Sequence, residues 1–517
     1  MRSSRKSFAL GFALFQAAAL LAAPAADHRV ILIVWDGMRP DFVSEQNTPT
    51  LWNLARRGVT FAHHHAVYIS ATEVNGTALS TGSYPMTDGI VGNSEYRPEI
   101  DPLKAIHTEI PAAVRKGDEL TRGNYLLRPT LAEIVRASGR QALVAGAKPV
   151  ALLHDRAPRD NDRNGINLVA GTTLPAGLAA TLTNRHGPFP KEGLDKPTRN
   201  DWTTEALIHS LWGAQLPDFS LVWMNEPDST QHRTGPGSAQ SLAAMRNSDE
   251  NLARILKTLE ARNALTNTDL LVVSDHGCST ISSRVNLVDD LNAAGFKATR
   301  EFKTKPAPDE ILVASNSGST FVYVIGRDEK TIGRVVQFLQ RWDASGVIFT
   351  RKPLPGTFTL KQVHLDSPGA PDIVVSLRWI DEKNAAGVSG MVRPDLTGFG
   401  VGQGIHVSLS PFDMRNTLIA TGPHFRAGIT STLPSGNVDV APTILWLLGI
   451  KPAKPMDGRV LTEALTIAGP ELKSYQPRRL EAKVQLEGVL WQQYLNVSEV
   501  NGVEYFDEGN GSQQRAP

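Results

Sequence analysis

The chain has one cysteine, Cys278, in 517 residues. No internal disulfide can form, so the fold rests on packing, hydrogen bonds and bound ions rather than on cross-links. An excess of either charge is also missing: 53 Lys and Arg stand against 52 Asp and Glu, a formal net charge of +1. Holding a nucleic-acid polymer by its phosphates requires a basic surplus, so binding of that kind is not indicated. Beyond the first 26 residues no apolar run is long enough to span a bilayer. Nor is there a repeat of fixed period, the mark of solenoids and propellers.

What is present reads as an ordinary globular composition, 41% hydrophobic and 20% charged. The N-terminus is the exception. "MRSSRK" is basic, "FALGFALFQAAALLAA" is apolar, and "APAAD" offers a small-residue cleavage site near Ala25 or Ala26. That pattern predicts a signal peptide over 1–26 and a secreted or periplasmic protein; small residues crowding the end of the run argue against an uncleaved anchor. Losing Arg2, Arg5 and Lys6 takes the net charge to −2.

From residue 29 onward, apolar runs alternate with helical patterns. Val30–Trp35 is continuous and β-branched, which suits a strand buried on both faces. "TPTLWNLARRG" reads as a helix between Thr48 and Gly58. "FSLVWM" and "TDLLVV" repeat the strand pattern, and "SAQSLAAMRNSDENLARILKTLEARN" is a long amphipathic helix with Leu252, Ile255, Leu256 and Leu259 on one side. "PDIVVSLRW" and "RNTLIATGP" read as further strands, and "DVAPTILWLLGI" as a helix. The alternation predicts an α/β fold with a mostly parallel sheet. Stretches at about 94–200 and 283–400 break the rhythm and read as insertions over the sheet's active edge. The end, "FDEGNGSQQRAP", reads as a loose tail.

Three of the strand-like runs end in carboxylates: Asp36, Asp228 and Asp275. Ligands in such sheets bind beyond the carboxyl ends of the strands, and three carboxylates there repel unless a cation lies between them. His232 follows Asp228 by four residues, one helical turn. His276 adjoins Asp275 at a point where the chain turns, and glycines surround His406 in "GFGVGQGIHV". Three Asp and three His make nearly two sets of mixed oxygen and nitrogen donors, a zinc-like pattern suited to a two-ion site. Taken singly, each motif has a bland reading as a helix cap or a hydrogen-bonded pair. The hydroxyl-rich "YISATEVNGTALSTG" holds the nucleophile candidates; Thr72 opens a helix-like segment, and the pattern alone does not choose it over Ser70. His63–His65 reads as packing, because consecutive side chains alternate faces. Cys278 reads as a small buried residue, His424 as lacking a spacing partner, and Asp439 as a helix cap.

In order along the chain, "VILIVWDGMRPD", "TPTLWNLARRGV", "SATEVNGTALSTGSYPMTDGIVGN", "PDSTQHRTGPGS", "VVSDHG", "GIHVSLSPFDM" and "NVDVAPTILWLLG" resemble the alkaline phosphatase superfamily, in its nucleotide pyrophosphatase/phosphodiesterase branch. The resemblance implies a three-layer α/β/α catalytic domain over 27–465 with inserted cap segments, and a C-terminal extension over 466–517. It implies two zinc ions, one held by Asp36, Thr72, Asp275 and His276, the other by Asp228, His232 and His406. Thr72 would be the nucleophile that becomes phosphorylated, and Asn93 would hydrogen-bond a phosphate oxygen. A small phosphoester, nucleotides included, would be the substrate. Two departures stand out. Val74 precedes Asn75 where the family usually has proline, and Glu73 follows the nucleophile where an aromatic residue commonly holds a nucleobase.

Threonine-type alkaline phosphatases resemble the chain too, and they carry a Lys-x-Arg pair for the extra charge of a monoester. Here Lys148 is present as a candidate substrate-binding residue, but Val150 stands in the arginine's place and Arg156 is distant. The missing arginine favours a phosphodiesterase or pyrophosphatase over a monoesterase. A phospho-head-group transferase and a non-catalytic binding module are more remote alternatives; the first lacks the expected membrane spans, and the second would not retain competent residues at all seven metal positions.

Overall fold

A computed structural model describes residues 28–161, 165–191, 193, 198–396, 398–472 and 475–515. The expected signal peptide lies outside the described residues. The run of β-branched and aliphatic residues at Arg29–Trp35 forms strand β1, buried along its whole length. With it, β2 (Val59–Phe61), β3 (Ala142–Gly146), β4 (Ile166–Val169), β5 (Thr172–Leu174), β6 (Phe219–Met224), β7 (Thr268–Val273), β8 (Leu418–Thr421) and β9 (Ile429–Ser431) make a nine-stranded sheet. Its order is β9–β2–β8–β7–β1–β6–β3–β4–β5. The central strands β7, β1, β6, β3 and β4 are all parallel. Only β8 and β5 run against their neighbours.

Alternation along each strand divides the apolar side chains between the two faces. Val30, Leu32 and Val34 of β1 face one core with α2 (Thr72–Thr81) and α5 (Val440–Leu447). Ile31, Ile33 and Trp35 face the other, where Leu51 of α1 (Pro49–Arg57) and Leu252, Ile255 and Leu259 of α4 (Ala239–Ala261) pack. Sheet and two helical layers together give the three-layer α/β/α arrangement.

The stretch at 94–200 is more than an insertion: it supplies β3, β4 and β5. Its key strand, "ALVAG", is short and rich in small residues, so it carries little of the β-branched signal that marks β1. The stretch at 283–400 builds all of a separate six-stranded sheet, in the order Ala298–Thr299, Ile311–Asn316, Ser319–Val324, Ile373–Leu377, Ser345–Thr350 and Phe358–Thr359. "PDIVVSLRW" belongs there and not to the central sheet.

The C-terminal residues are not a loose tail. Tyr475–Leu486, Val489–Val500 and Val503–Arg515 form a three-stranded antiparallel sheet. A Cβ on Gly511 would lie 2.0 Å from the Gly346 carbonyl oxygen, so that glycine marks a close backbone approach rather than a floppy end. Buried Trp491 packs in the apolar cluster of the six-stranded sheet and donates to Gly356 O at 3.0 Å. Asp439 precedes α5 but does not cap it; its carboxylate accepts from Arg459 N–H, Gly436 N–H and the Tyr505 hydroxyl, tying α5 to this sheet. Trp491→Ala is therefore expected to lower the stability of the unfolding transition by about 3–5 kcal/mol. Tyr475→Ala, at a residue 48% exposed, should stay within about 0.5 kcal/mol, as read from thermal and denaturant unfolding.

Candidate active site

The carboxyl ends of β7, β1, β6 and β3 lie side by side and deliver the functional groups. Asp36 directly follows β1, Asp275 comes two residues after β7, and Lys148 two residues after β3. After β6 the chain turns into α3 (Asp228–Thr234), which places Asp228 and His232 one turn apart. His406 arrives on Gly404–Ile405, a short strand paired with Ser279–Ile281 just beyond His276.

Close approach requires the glycines beside these residues. Gly37 sits at φ +71, a conformation favouring glycine, and its added Cβ would lie 2.8 Å from Asp228 Cβ. Its N–H donates to Asp275 Oδ1 at 3.0 Å, coupling the ends of β1 and β7. A Cβ on Gly277 would lie 2.0 Å from Phe412 O.

Two groups of ligating atoms result: Asp36, Asp275 and His276, and Asp228, His232 and His406. In the first, His276 Nε2 lies 3.2 Å from Asp275 Oδ2 and 3.6 Å from Asp36 Oδ1. In the second, Asp228 Oδ1 lies 3.1 Å from His232 Nε2 and 3.8 Å from His406 Nε2. The groups are neighbours, since the rings of His276 and His406 stack at 3.6 Å.

Backbone carbonyls set the imidazole tautomers. Nδ1 of His232 meets Gly404 O at 2.9 Å, Nδ1 of His276 meets Gly277 O at 2.8 Å, and Nδ1 of His406 meets Ser70 O at 2.8 Å. A carbonyl only accepts, so each Nδ1 carries the hydrogen and, in the neutral form of each ring, Nε2 is bare. Those lone pairs face carboxylate oxygens that have no donor: Asp36 Oδ1, Asp228 Oδ1 and Asp275 Oδ2 are buried without a hydrogen-bond partner. Such an arrangement is repulsive unless a cation lies between. Burial, followed by the neighbouring carboxylate Asp275, holds Asp36 well above the usual carboxylate range. Burial pushes Asp275 up to about 7. For Asp228 burial also acts upward, but His232 and Lys148 outweigh it and hold the carboxyl low. His276 and His406 are lowered by burial, which keeps them neutral; burial also acts downward on His232, but Asp228, 3.1 Å from its Nε2, outweighs it and raises that ring. Oxygen and nitrogen donors of this kind, buried and unsatisfied, fit divalent metal ions.

A third cluster, His28, Asp269 and His424, fails the same test. Both rings contact Asp269 Oδ2, at 2.9 and 2.8 Å, and Asp269 Oδ1 accepts His424 N–H. No carbonyl contact fixes either ring's tautomer here, so each can place its proton on the carboxylate. His424 thus has partners after all, 155 or more residues away in the chain, a separation that local spacing does not reveal.

Thr72 is the first residue of α2 and is buried; its Oγ1 lies 3.1 Å from His276 Nε2. Ser70 instead donates to Ser408 O. Asn75 ties down the approach to Thr72 by donating to the carbonyls of Val67, Ile69 and Ala71. Asn93 accepts Glu73 N–H at 3.1 Å, which leaves its NH2 as the end that can donate. The Glu73 carboxyl is buried next to Thr72, with Oε2 unpartnered, and burial and then Glu109 hold it well above its usual range. Two contacts had no counterpart in the sequence reading: Trp223 Nε1 donates to Asp36 Oδ2 at 2.8 Å, and Phe399 stacks on His232 at 4.4 Å. His64 and His65 are not ligands: His65 packs on Ser435 and Asp507, and His64 bonds Ser435 and Asn437, whose NH2 donates to Asp275 O at 2.7 Å.

Residues 30–379 match the family model described as type I phosphodiesterase / nucleotide pyrophosphatase. The chain belongs to this family. It is accordingly a phosphoric ester hydrolase of the phosphodiester- and pyrophosphate-cleaving type, in a family that depends on metal. Human ectonucleotide pyrophosphatase/phosphodiesterase family member 7 is 24% identical over 443 residues, 84% of this chain and 83% of its own length. The venom phosphodiesterase of Naja atra is 25% identical over 261 residues, 49% of this chain and 26% of the venom protein. Among solved structures, murine ectonucleotide pyrophosphatase / phosphodiesterase 5, an inactive variant in complex with AMP, matches with TM-score 0.60 at 17% identity. That match covers 85% of this chain and 100% of the murine one, and it shows a shared fold.

If the orientation of the His276 ring is set by the close passage of Gly277 past Phe412 O, then Gly277→Ala should bind less metal per chain than wild type. The rate should fall about 10–100-fold. Gly333→Ala, where an added Cβ meets nothing within 4 Å, should keep full metal content and activity. Metal analysis by mass spectrometry alongside a phosphodiester assay reads both.

Proposed function

We propose that the chain is an exported hydrolase of small phosphodiesters and pyrophosphates that works through a phospho-threonine on Thr72 with two zinc ions. One observation carries the reading: two Asp–His groups, with donorless carboxylate oxygens, beside a buried threonine at a helix N-terminus. Asp36, Asp275 and His276, with Thr72, would hold one ion, and Asp228, His232 and His406 the other. When bound, the ions supply Lewis acidity that eases ionisation of a nearby hydroxyl and offsets charge on the phosphoryl oxygens. The remaining work falls to the chain. The N-terminal amides of α2 favour a phosphate anion at Thr72. Thr72 Oγ1 loses its proton as it bonds phosphorus, and the ester oxygen on the opposite side departs. Asn93 donates its NH2 to a non-bridging oxygen. Water then displaces phosphorus from Thr72 and restores the hydroxyl.

Charge favours the diester. A monoester dianion needs one more cation than a diester, and both candidate cations are committed. Lys148 bonds Asp36 and Asp228, while Arg156 pairs with Asp118 and Glu133 and donates to Gly123 O. Nucleotides fall within the substrate class, given the murine relative solved with AMP, although Glu73 offers a carboxyl group where a base would stack on an aromatic face. The basic and apolar leader at 1–26 supports export, and among the described residues no helix is long and apolar enough to cross a membrane.

Zinc-loaded protein should hydrolyse bis-p-nitrophenyl phosphate in preference to p-nitrophenyl phosphate. Chelation should abolish the activity and zinc should restore it. Thr72→Ala should lose about 10³-fold or more in kcat. A strong monoester preference would overturn the diester assignment, and full activity in Thr72→Ala the nucleophile assignment.

A further inference from the structure

Lys148 does not enter the site as a freestanding cation. Its Nζ lies 2.9 Å from Asp36 Oδ2 and 2.7 Å from Asp228 Oδ2, and its side chain is 18% exposed. Asp36 and Asp228 belong to different Asp–His groups, so one ammonium ties the two together. The oxygens divide cleanly. Oδ2 of each carboxylate takes Lys148, and that of Asp36 also takes Trp223 Nε1. Oδ1 of each has no donor and faces the imidazoles of its own group.

We propose that Lys148 is a positioning residue for both metal groups. By pinning the outer oxygens of Asp36 and Asp228 it fixes which oxygen each carboxylate turns inward, and so holds the two donor sets in register. The inference rests on the two-ion reading above, and it replaces the role of a phosphate-binding lysine. A carboxyl group turns freely about its Cβ–Cγ bond, with two nearly equivalent oxygens, unless a donor breaks the symmetry. Charge-assisted contacts of 2.7–2.9 Å are the strong kind that do so. Fold topology puts the lysine where it can serve both sides. β3 lies next to β6, which leads to Asp228, and β6 lies next to β1, which ends at Asp36. Directly after β3 the chain turns so tightly that a Cβ on Gly146 would lie 2.2 Å from Ala151 Cβ, sending Lys148 across the strand ends. Two of the three ammonium donors are thereby used within the protein.

The test uses the full-length enzyme stripped of metal and reloaded with Co2+, whose d–d absorption bands report ligand geometry. Lys148→Met is expected to shift those bands and to lower kcat for bis-p-nitrophenyl phosphate about 10–100-fold, with KM within about twofold. Lys148→Gln provides the same readout if the methionine variant fails to fold, as judged by circular dichroism. Bands superimposable on wild type would overturn the proposal, and a raised KM in that case would assign Lys148 to substrate. Failure of the underlying two-ion reading is separately visible, because wild-type protein would then take up fewer than two Co2+ per chain.

Discussion

Three imidazoles whose Nδ1–H groups are spent on the carbonyls of Gly404, Gly277 and Ser70 turn Nε2 atoms, bare in the neutral ring, towards buried carboxylate oxygens. Lone pairs facing anions in a dry setting cost several kcal/mol each unless a positive charge intervenes. Everything else at the carboxyl edge of the sheet serves that requirement. Gly37 and Gly277 let the chain pass close enough to bring the donors together. α2 brings a hydroxyl and a helix N-terminus to the same place, and Lys148 occupies the outer oxygens so that the inner ones stay available.

The parallel sheet makes this economical in chain. Four adjacent strands, β7, β1, β6 and β3, end at one level, so residues more than a hundred positions apart become neighbours without a dedicated loop. Of the six Asp and His donors, only His406 does not follow a central strand; it sits just after a short strand whose Gly404 passes so close to Gln231 that an added Cβ would lie 2.6 Å from the Gln231 carbonyl oxygen. The six-stranded sheet supports it from behind: Ser319 donates to Val407 O, and Gly318 N–H to His406 O. Rigid packing of this kind suits a reaction whose catalysis consists mainly of placing charge.

Much of this was legible in the sequence because the signals are local. Asp36 and Asp275 announce themselves by following apolar runs that no surface strand would tolerate. Asp228 and His232 show the spacing of one helical turn, α1 is bounded by Pro49 and Gly58, and α4 carries its apolar stripe. What the sequence hid is non-local. The "ALVAG" strand is too short and too small in its side chains to be recognised alone. Gly509 and Gly511 read as slack, yet Gly511 gives passage to another backbone. His424 finds its partners across the fold, and Asp439 shares its carboxylate among Arg459, Gly436 and Tyr505 instead of capping α5. Thr72 over Ser70 was decided by family resemblance; in the fold the two differ, since Ser70 is turned to Ser408 O while Thr72 faces His276.

The central claim is that the donorless carboxylate oxygens are built for two cations. Anomalous scattering at the zinc absorption edge, from crystals of zinc-loaded protein, tests it most directly. The account predicts two peaks roughly 3.5–4 Å apart, one bounded by Asp36, Asp275 and His276, the other by Asp228, His232 and His406. A single peak, or two peaks lying elsewhere on the protein, would contradict it.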